Sequence, residues 1–332
     1  MSFDFDTQFT AMMQNNQLDC VIILGHMNPD GDCCGSVLGL AHYIHNTWPQ
    51  IQVFPYLASN MDRGPKVYAM QDTVFDPFAE PYLPSDKTYA VICCDCATLK
   101  RLVGLTLFEE ALTTMCLDHH AANEYYGTLN EVSISEACAE NIYQMLDRAH
   151  LAAAAKAPHP NVADYLYLGI IHDTGCFDRA NSELLQAAAV LLSLGADHRT
   201  ILNTRKTKTL EDKKKEGWLL DHSHRFLDGQ VGYVCVNRIE AEEADITYED
   251  IHPISDILRD CADIQMAFSM FEESPDMWRC SFRSDGIWLN VNKLLHPFGG
   301  GGHAGASGLR MNTKEPEALL ERILKQIKTM KK

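Results

Sequence analysis

Through the first 195 residues, short and fully apolar runs alternate with segments whose apolar positions recur at helical spacing. The runs at 21–25, 51–57, 89–94 and 114–117 read as parallel strands buried on both faces, because a strand with one wet face would alternate apolar and polar. The segments at 35–46, 135–150, 162–172 and 182–194 predict helices, the last closed by Gly195. Strands and helices in turn predict an α/β fold, a mostly parallel sheet with flanking helices. From 200 to 225 the chain becomes polar and charge-rich, which predicts an exposed connecting helix. After it, short alternating segments at 232–237, 266–271, 278–284 and 286–290, with a final helix over 315–328, predict a smaller mixed α+β domain. The expected division is 1–198, a connecting helix or linker at 199–227, and 228–332.

Charge and composition narrow the function. With 28 Lys and Arg against 45 Asp and Glu in 332 residues, the formal net charge is −17. A surface of that sign repels long duplex nucleic acid and attracts divalent cations. Apolar residues make up 46% and charged residues 22%, a composition that folds rather than staying disordered. No apolar run reaches the roughly 18 residues of a spanning helix. The opening MSFDFDTQFTAMMQ has two acids and no basic residue, so neither a membrane partner nor a secretory leader is expected. Twelve cysteines, several adjoining one another, fit reduced thiols and a cytoplasmic location better than disulfides. Cys93 and Cys96 have zinc-ligand spacing without a second pair, and read as small buried residues.

Four polar clusters fall at the ends of apolar elements. His26, Asp30 and Asp32 leave one turn directly after the first strand, with Pro29 and Gly31 shaping its backbone. Asp95 ends the 89–94 run, and Asp118, His119 and His120 end the fourth strand. Asp173 follows the helical run at 165–171. Each segment alone reads as a turn or a helix cap. In a parallel sheet, however, the carboxyl ends of the strands share one edge, where ligands collect. Together the four supply acids and imidazoles enough for two divalent cations, Mn²⁺ first and Mg²⁺ second, the usual device for cleaving a phosphoester. In the C-terminal domain, four consecutive glycines at 299–302 precede His303, and Arg283 stands in SFRS; backbone N–H groups and these cations suit a phosphate.

The segments HMNPDGD at 26–32, Asp95, LDHH at 117–120, HDTG at 172–175, SFRS at 281–284 and GGGGHAGASG at 299–308 resemble the DHH superfamily of phosphoesterases. In particular they resemble its two-domain members with a DHH-associated C-terminal domain, the oligoribonuclease (nanoRNase) and 3′-phosphoadenosine-5′-phosphate phosphatase group. The resemblance implies one cation on His26, Asp30 and Asp95 and a second on Asp32, Asp95, His119 and Asp173. It implies that Asp118 orients His119, and that His120 faces the scissile phosphate as a donor or acid. Across a metal cleft between the domains, Arg283, Ser284, Gly301, Gly302 and His303 would hold the terminal phosphate or nucleotide. Relatives form dimers, so a homodimer is open. Asp178 stands where relatives more often place an aromatic or basic residue, and Arg101, six residues past Asp95, is open between a substrate role and a salt bridge.

The expected activity is hydrolysis of very short oligonucleotides to mononucleotides, or of a 3′,5′-bisphosphonucleotide to AMP and phosphate. A diadenylate phosphodiesterase and a manganese pyrophosphatase are the enzymatic alternatives. A catalytically silent nucleotide-binding regulator is the third.

Overall fold

The computed structural model describes residues 3–83, 87–205 and 208–331; residues 206 and 207 of the expected linker lie outside the described residues. The chain divides into two compact units, Met1–Thr207 and Lys208–Lys332. Helix Leu210–Asp221, in the expected linker, buries Leu219 in the core of the second unit.

In the first unit, strands β1 (Cys20–Leu24), β2 (Gln52–Tyr56), β3 (Ala90–Cys94), β4 (Thr113–Asp118) and β5 (Leu129–Val132) form a parallel sheet in the order β2-β1-β3-β4-β5. Every residue of β1 and β3 is buried, which is why these runs show no alternation in sequence. Val21, Ile23 and Ile92 pack into the core under helices Gly31–Thr47 and Val162–Asp173, whereas Ile22, Leu24 and Val91 face a second layer with Leu102. Chain order reverses between β1 and β3, so the carboxyl ends of β1, β3 and β4 frame the crevice at which ligands bind such sheets.

Three local expectations are revised. Strand β5 is absent from the apolar pattern because Leu129-Asn130-Glu131-Val132 is half polar and lies at the sheet edge. The helix expected over 135–150 is two helices, Cys138–Met145 and Arg148–Ala154. Asp147 breaks it by turning extended and accepting the N–H groups of Ala149 and His150. The helix expected from 35 begins at Gly31, because the Asp30 carboxylate accepts the N–H groups of Asp32 and Cys33.

Glycine lets two helices meet at backbone distance. A Cβ on Gly35 would lie 2.4 Å from the Tyr165 carbonyl oxygen, and one on Gly169 would lie 2.7 Å from Asp32 Oδ1. The helix that begins beside Asp30 therefore runs against the helix that ends in Asp173.

The second unit is a six-stranded sheet of β6 (Ser223–Phe226), β7 (Val231–Val236), β8 (Met266–Ser274), β9 (Met277–Ser284), β10 (Gly301–Gly302) and β11 (Ala306–Asn312), in the order β10-β11-β9-β8-β7-β6. Its pairs are antiparallel except β7 with β8. Helix Pro316–Met330 covers one face with Leu319, Ile323 and Ile327, spaced by four so that they share one stripe. Residues 286–290 form no strand: Asp285 accepts the N–H groups of Ile287 and Trp288 and closes a turn there. Strand β11, hidden in the sequence by its glycine-rich approach, pairs with β9 instead, and the two-residue β10 takes the edge. Among the described residues, no helix is long and apolar enough to cross a membrane.

Candidate metal centre and basic pocket

The three adjacent strand ends deliver the first cluster. Asp95, one residue beyond β3, has φ 56°, a left-handed conformation that turns its side chain out of the strand direction. Its Oδ2 lies 3.5 Å from His26 Nε2 and its Oδ1 lies 3.3 Å from His119 Nε2. The His119 Nε2 atom is also 3.9 Å from Asp32 Oδ2 and 3.9 Å from Asp173 Oδ2. Donor atoms of Asp32, His119 and Asp173 lie within 4.8 Å of one another, as do those of His26, Cys33 and Asp95. Strand-end loops and a helix terminus from four separate parts of the sequence thus meet in one place.

The imidazoles are oriented from behind. His26 Nδ1 donates to the Met27 carbonyl at 2.7 Å and His119 Nδ1 to the Ser135 carbonyl at 3.1 Å, which leaves Nε2 of each ring directed at Asp95. The sequence reading gave the orientation of His119 to Asp118, and the structure differs. Asp118 Oδ1 accepts the main-chain N–H of His119 and the ring Nδ1–H of His120, each at 2.8 Å, while its Oδ2 takes Asn123 Nδ2 at 2.6 Å. Asp118 is fully buried, so this geometry fixes the His120 ring. The reason is geometric: successive residues leave the end of β4 in different directions, and the His119 ring reaches Ser135 instead.

Crowding acids in a buried place disfavours their charge. Burial first, and then the Asp95 charge, raise the carboxyl pKa of Asp30 and of Asp32, even though Asp32 accepts the N–H groups of Cys138 and Ala139. Burial likewise raises Asp173. At Asp95 burial acts the same way, but the adjoining His119 and His26 imidazoles outweigh it and hold the carboxyl below the usual range. Burial opposes protonation of His119, yet the Asp95 bond and the Asp32 charge push its pKa up to about 10. The cluster is therefore a place that stabilises positive charge. One carboxylate oxygen is left without a good hydrogen bond: Asp95 Oδ1 is buried, and His119 Nε2 stands 3.3 Å from it. An oxygen-rich set with two inward-facing imidazole nitrogens and an unpartnered carboxylate oxygen fits divalent cations.

Of the expected ligands, His26, Asp30, Asp95, His119 and Asp173 line a cavity of about 290 Å³ together with His120, Arg101 and Arg179. Asp32 lies behind them, completely enclosed. Asp30 is outside the two tight donor groups, its Oδ1 being taken up as a helix cap. Cys33, not anticipated from sequence, stands beside His26 and Asp95; burial, and then Asp95, raise its thiol well above the usual range. No ion pair is formed by Arg101 among the described residues, whereas Arg179 pairs with Asp173.

The second unit carries a different pocket, of about 470 Å³. Arg279, Ser281 and Arg283 alternate along β9 on one face, and in the β11 register Arg310 opposes Arg279, Gly308 opposes Ser281 and Ala306 opposes Arg283. Small residues floor the pocket and guanidinium groups rim it, with Tyr248, His252, Gly301 and Gly302 completing the wall. Arg279 stacks on the Tyr248 ring at 3.7 Å, and Arg283 Nε lies 3.0 Å from Asp256 Oδ1. Three residues expected to bind substrate, Arg283, Gly301 and Gly302, line it. Ser284 does not: its hydroxyl donates to the Leu289 carbonyl at 2.6 Å and closes the following turn. His303 lies in the turn between β10 and β11, its N–H bonded to the Ala306 carbonyl, and is not in the lining. Arg279 and Arg310 were missed; the four-residue spacing of Arg279 and Arg283 on a strand was the available signal.

Comparison with known proteins fits both units. Residues 20–170 match the DHH family N-terminal domain, and residues 229–330 match the DHHA1 domain. The chain carries a DHH family N-terminal domain followed by a DHHA1 domain. Among curated relatives, a Mycoplasma genitalium protein named bifunctional oligoribonuclease and PAP phosphatase NrnA is 28% identical over 308 residues, covering 90% of this chain and 91% of its own. The Bacillus subtilis protein of the same name is 25% identical over 319 residues, covering 94% and 95%. In fold, a crystal structure of an exopolyphosphatase-related protein from Bacteroides fragilis superposes with a TM-score of 0.78 at 22% identity, covering 98% of this chain and 97% of that one.

Proposed function

We propose that this protein is a Mn²⁺-dependent phosphoesterase, with Mg²⁺ as the second choice, that hydrolyses very short oligonucleotides to mononucleotides and 3′-phosphoadenosine-5′-phosphate to AMP and phosphate. The observation that carries the reading is the buried, unpartnered Asp95 Oδ1 at the meeting point of the Asp and His side chains. The names of the Mycoplasma and Bacillus relatives support the choice of substrates.

In this reading His26, Asp30 and Asp95 hold one cation and Asp32, Asp95, His119 and Asp173 the other, with Asp95 shared. Cations there supply neutralisation of phosphoryl charge and acidified water. Met27 and Ser135 carbonyls keep His26 and His119 in the tautomer that presents Nε2. Asp118 first of all raises the His120 pKa through its hydrogen bond, which favours the protonated ring, and His120 gives that proton to the leaving oxygen from Nε2. Arg283, Gly301 and Gly302 take the nucleotide phosphate in the second unit.

Incubation of the purified protein with a dinucleotide and with 3′-phosphoadenosine-5′-phosphate, with and without Mn²⁺, tests the reading. Turnover of both only with metal is expected. Saturating metal and no turnover of either would remove it.

A further inference from the structure

Arg179 has no part in the roles assigned so far. In sequence its neighbour Asp178 stood out; in the structure it is Arg179 that lines the 290 Å³ cavity, beside His26, Asp95, His119 and His120. Its guanidinium lies 3.7 Å from Asp173 Oδ1 and also donates to the Asp173 carbonyl.

The backbone is bent at some cost to deliver it. Helix Val162–Asp173 ends at Thr174, and the next three residues, Gly175, Cys176 and Phe177, have φ of 62°, 62° and 73°. Glycine tolerates that conformation, but Cys and Phe carry a Cβ that disfavours it. Such a turn persists only where its surroundings hold it. Thr174 Oγ1 accepts the Phe177 N–H at 3.0 Å, the Thr174 carbonyl accepts the Arg179 N–H at 3.2 Å, and the Phe177 ring packs near Tyr167 at 6.2 Å between centroids. Arg179 is thereby tied to the helix end that bears Asp173. Its side chain is 61% exposed, and an ion pair so wet adds little stability, so the pair with Asp173 does not explain the strained turn.

We propose that Arg179 is a phosphoryl-binding residue of the active site: its planar fork takes the non-bridging oxygens of the scissile phosphate. The chemistry it recognises is a phosphate mono- or diester, and the inference rests on the reading given under Proposed function. Before substrate arrives, the Asp173 groups hold the fork in place. When a phosphate enters, its oxygens replace them as acceptors. Arg179 keeps its proton throughout; a water oxygen forms a bond to phosphorus as the P–O bond to the leaving group breaks, the leaving oxygen takes its proton from His120, and the guanidinium stabilises charge on the phosphoryl oxygens. A lysine presents one point charge and cannot reproduce two parallel donors.

The test uses the full chain with Arg179→Ala and Arg179→Lys, and reads kcat, KM, Mn²⁺ affinity, the melting temperature and the affinity of the Mn²⁺-loaded protein for inorganic phosphate. Arg179→Ala is expected to lower kcat/KM by about 10²-fold to 10³-fold. Its phosphate affinity should fall by about tenfold or more, while Mn²⁺ affinity and melting temperature stay native. Arg179→Lys should recover only part of the loss. A parallel fall in Mn²⁺ affinity and activity would make Arg179 a mere support of Asp173 and overturn the proposal, as would native phosphate affinity in Arg179→Ala. If the unaltered protein turns over neither substrate, it is the proposed function that fails, and the phosphate titration still decides the role of Arg179.

Discussion

Two buried clusters of acid and imidazole lie in the first unit, built from the same residue types and satisfied to different degrees. In one, Asp72 accepts His42 Nε2 at 2.7 Å, the Tyr165 hydroxyl at 2.8 Å and the N–H groups of Val74 and Phe75, so both its oxygens are occupied. In the other, Asp95 meets His26 and His119 at 3.5 and 3.3 Å, too long for good hydrogen bonds, and one of its oxygens has no partner. The first arrangement ties helix Gly31–Thr47 to the loop at Asp72 through a carboxylate with both oxygens partnered, although His42 Nδ1 has no partner. The second is held open. A buried carboxylate oxygen without a good hydrogen bond is costly, and beside inward-facing imidazole nitrogens a bound cation would offset that cost. Burial and residue type do not separate structural from functional acids here, and neither does an unpartnered oxygen alone, since Glu140 Oε2 is also buried without a partner; among the described residues, the unpartnered oxygen of Asp95 stands among converging donor atoms and that of Glu140 does not.

The difference can be broken at its centre. Asp95→Asn should abolish Mn²⁺ binding at the cluster and lower kcat by on the order of 10³-fold or more, the scale of losing a principal electrostatic group, while leaving the metal-free protein as stable as before. Loss of stability comparable to that of an Asp72 variant would place Asp95 with the structural network. Next in size is His120→Ala, expected to cost about 10²-fold to 10⁴-fold in kcat as the loss of a proton donor. Asp118→Asn, which leaves the ring but loosens its support, should cost about 10-fold to 100-fold. Equal losses for the two would contradict a supporting role for Asp118.

Arg283 tests an intermediate case, a cation with partners that still faces a pocket. Arg283→Ala should raise KM by about 10-fold to 100-fold, equivalent to a charged hydrogen bond of about 1.5–3 kcal/mol, with kcat little changed. A fall in kcat at constant KM would argue against a binding role. The smallest effect on catalysis belongs to the satisfied cluster. Asp72→Asn should leave kcat native and lower stability by about 1–3 kcal/mol. Burial works against the Asp72 charge, but the His42 bond outweighs it and holds the carboxyl below its ordinary 3.8. Its folded pKa being the lower one, Asp72 contributes stability that is complete above the ordinary value and lost as pH falls through the folded one. Urea melts between pH 3 and 6 should therefore show the variant and the native protein converging on the acid side. A constant gap across that range would contradict the assignment.

Much of this was legible in the chain. The buried strands β1, β3 and β4 declare themselves because parallel strands under two layers have no polar face, and the site residues stand at their ends because only there can charge leave an apolar core. What escaped depended on distant pairing. Strand β5 is too short and polar to signal itself, the break at Asp147 is a capping event, and the Ser135 carbonyl that orients His119 lies 16 residues away. His42 and Asp72 are 30 residues apart and carried no motif. The rim of the second pocket needed the register that sets Arg310 against Arg279. Arg179 was hidden by a backbone turn that a sequence with Cys176 and Phe177 gives no reason to expect.

The most direct test of the open cluster is anomalous scattering at the manganese edge from crystals of the Mn²⁺-loaded protein. The account predicts peaks bonded to Asp95, one shared with His26 and one with His119 and Asp173. A cluster without manganese in crystals that hold it elsewhere, or an Asp95 carboxylate turned away from the metal, would contradict it.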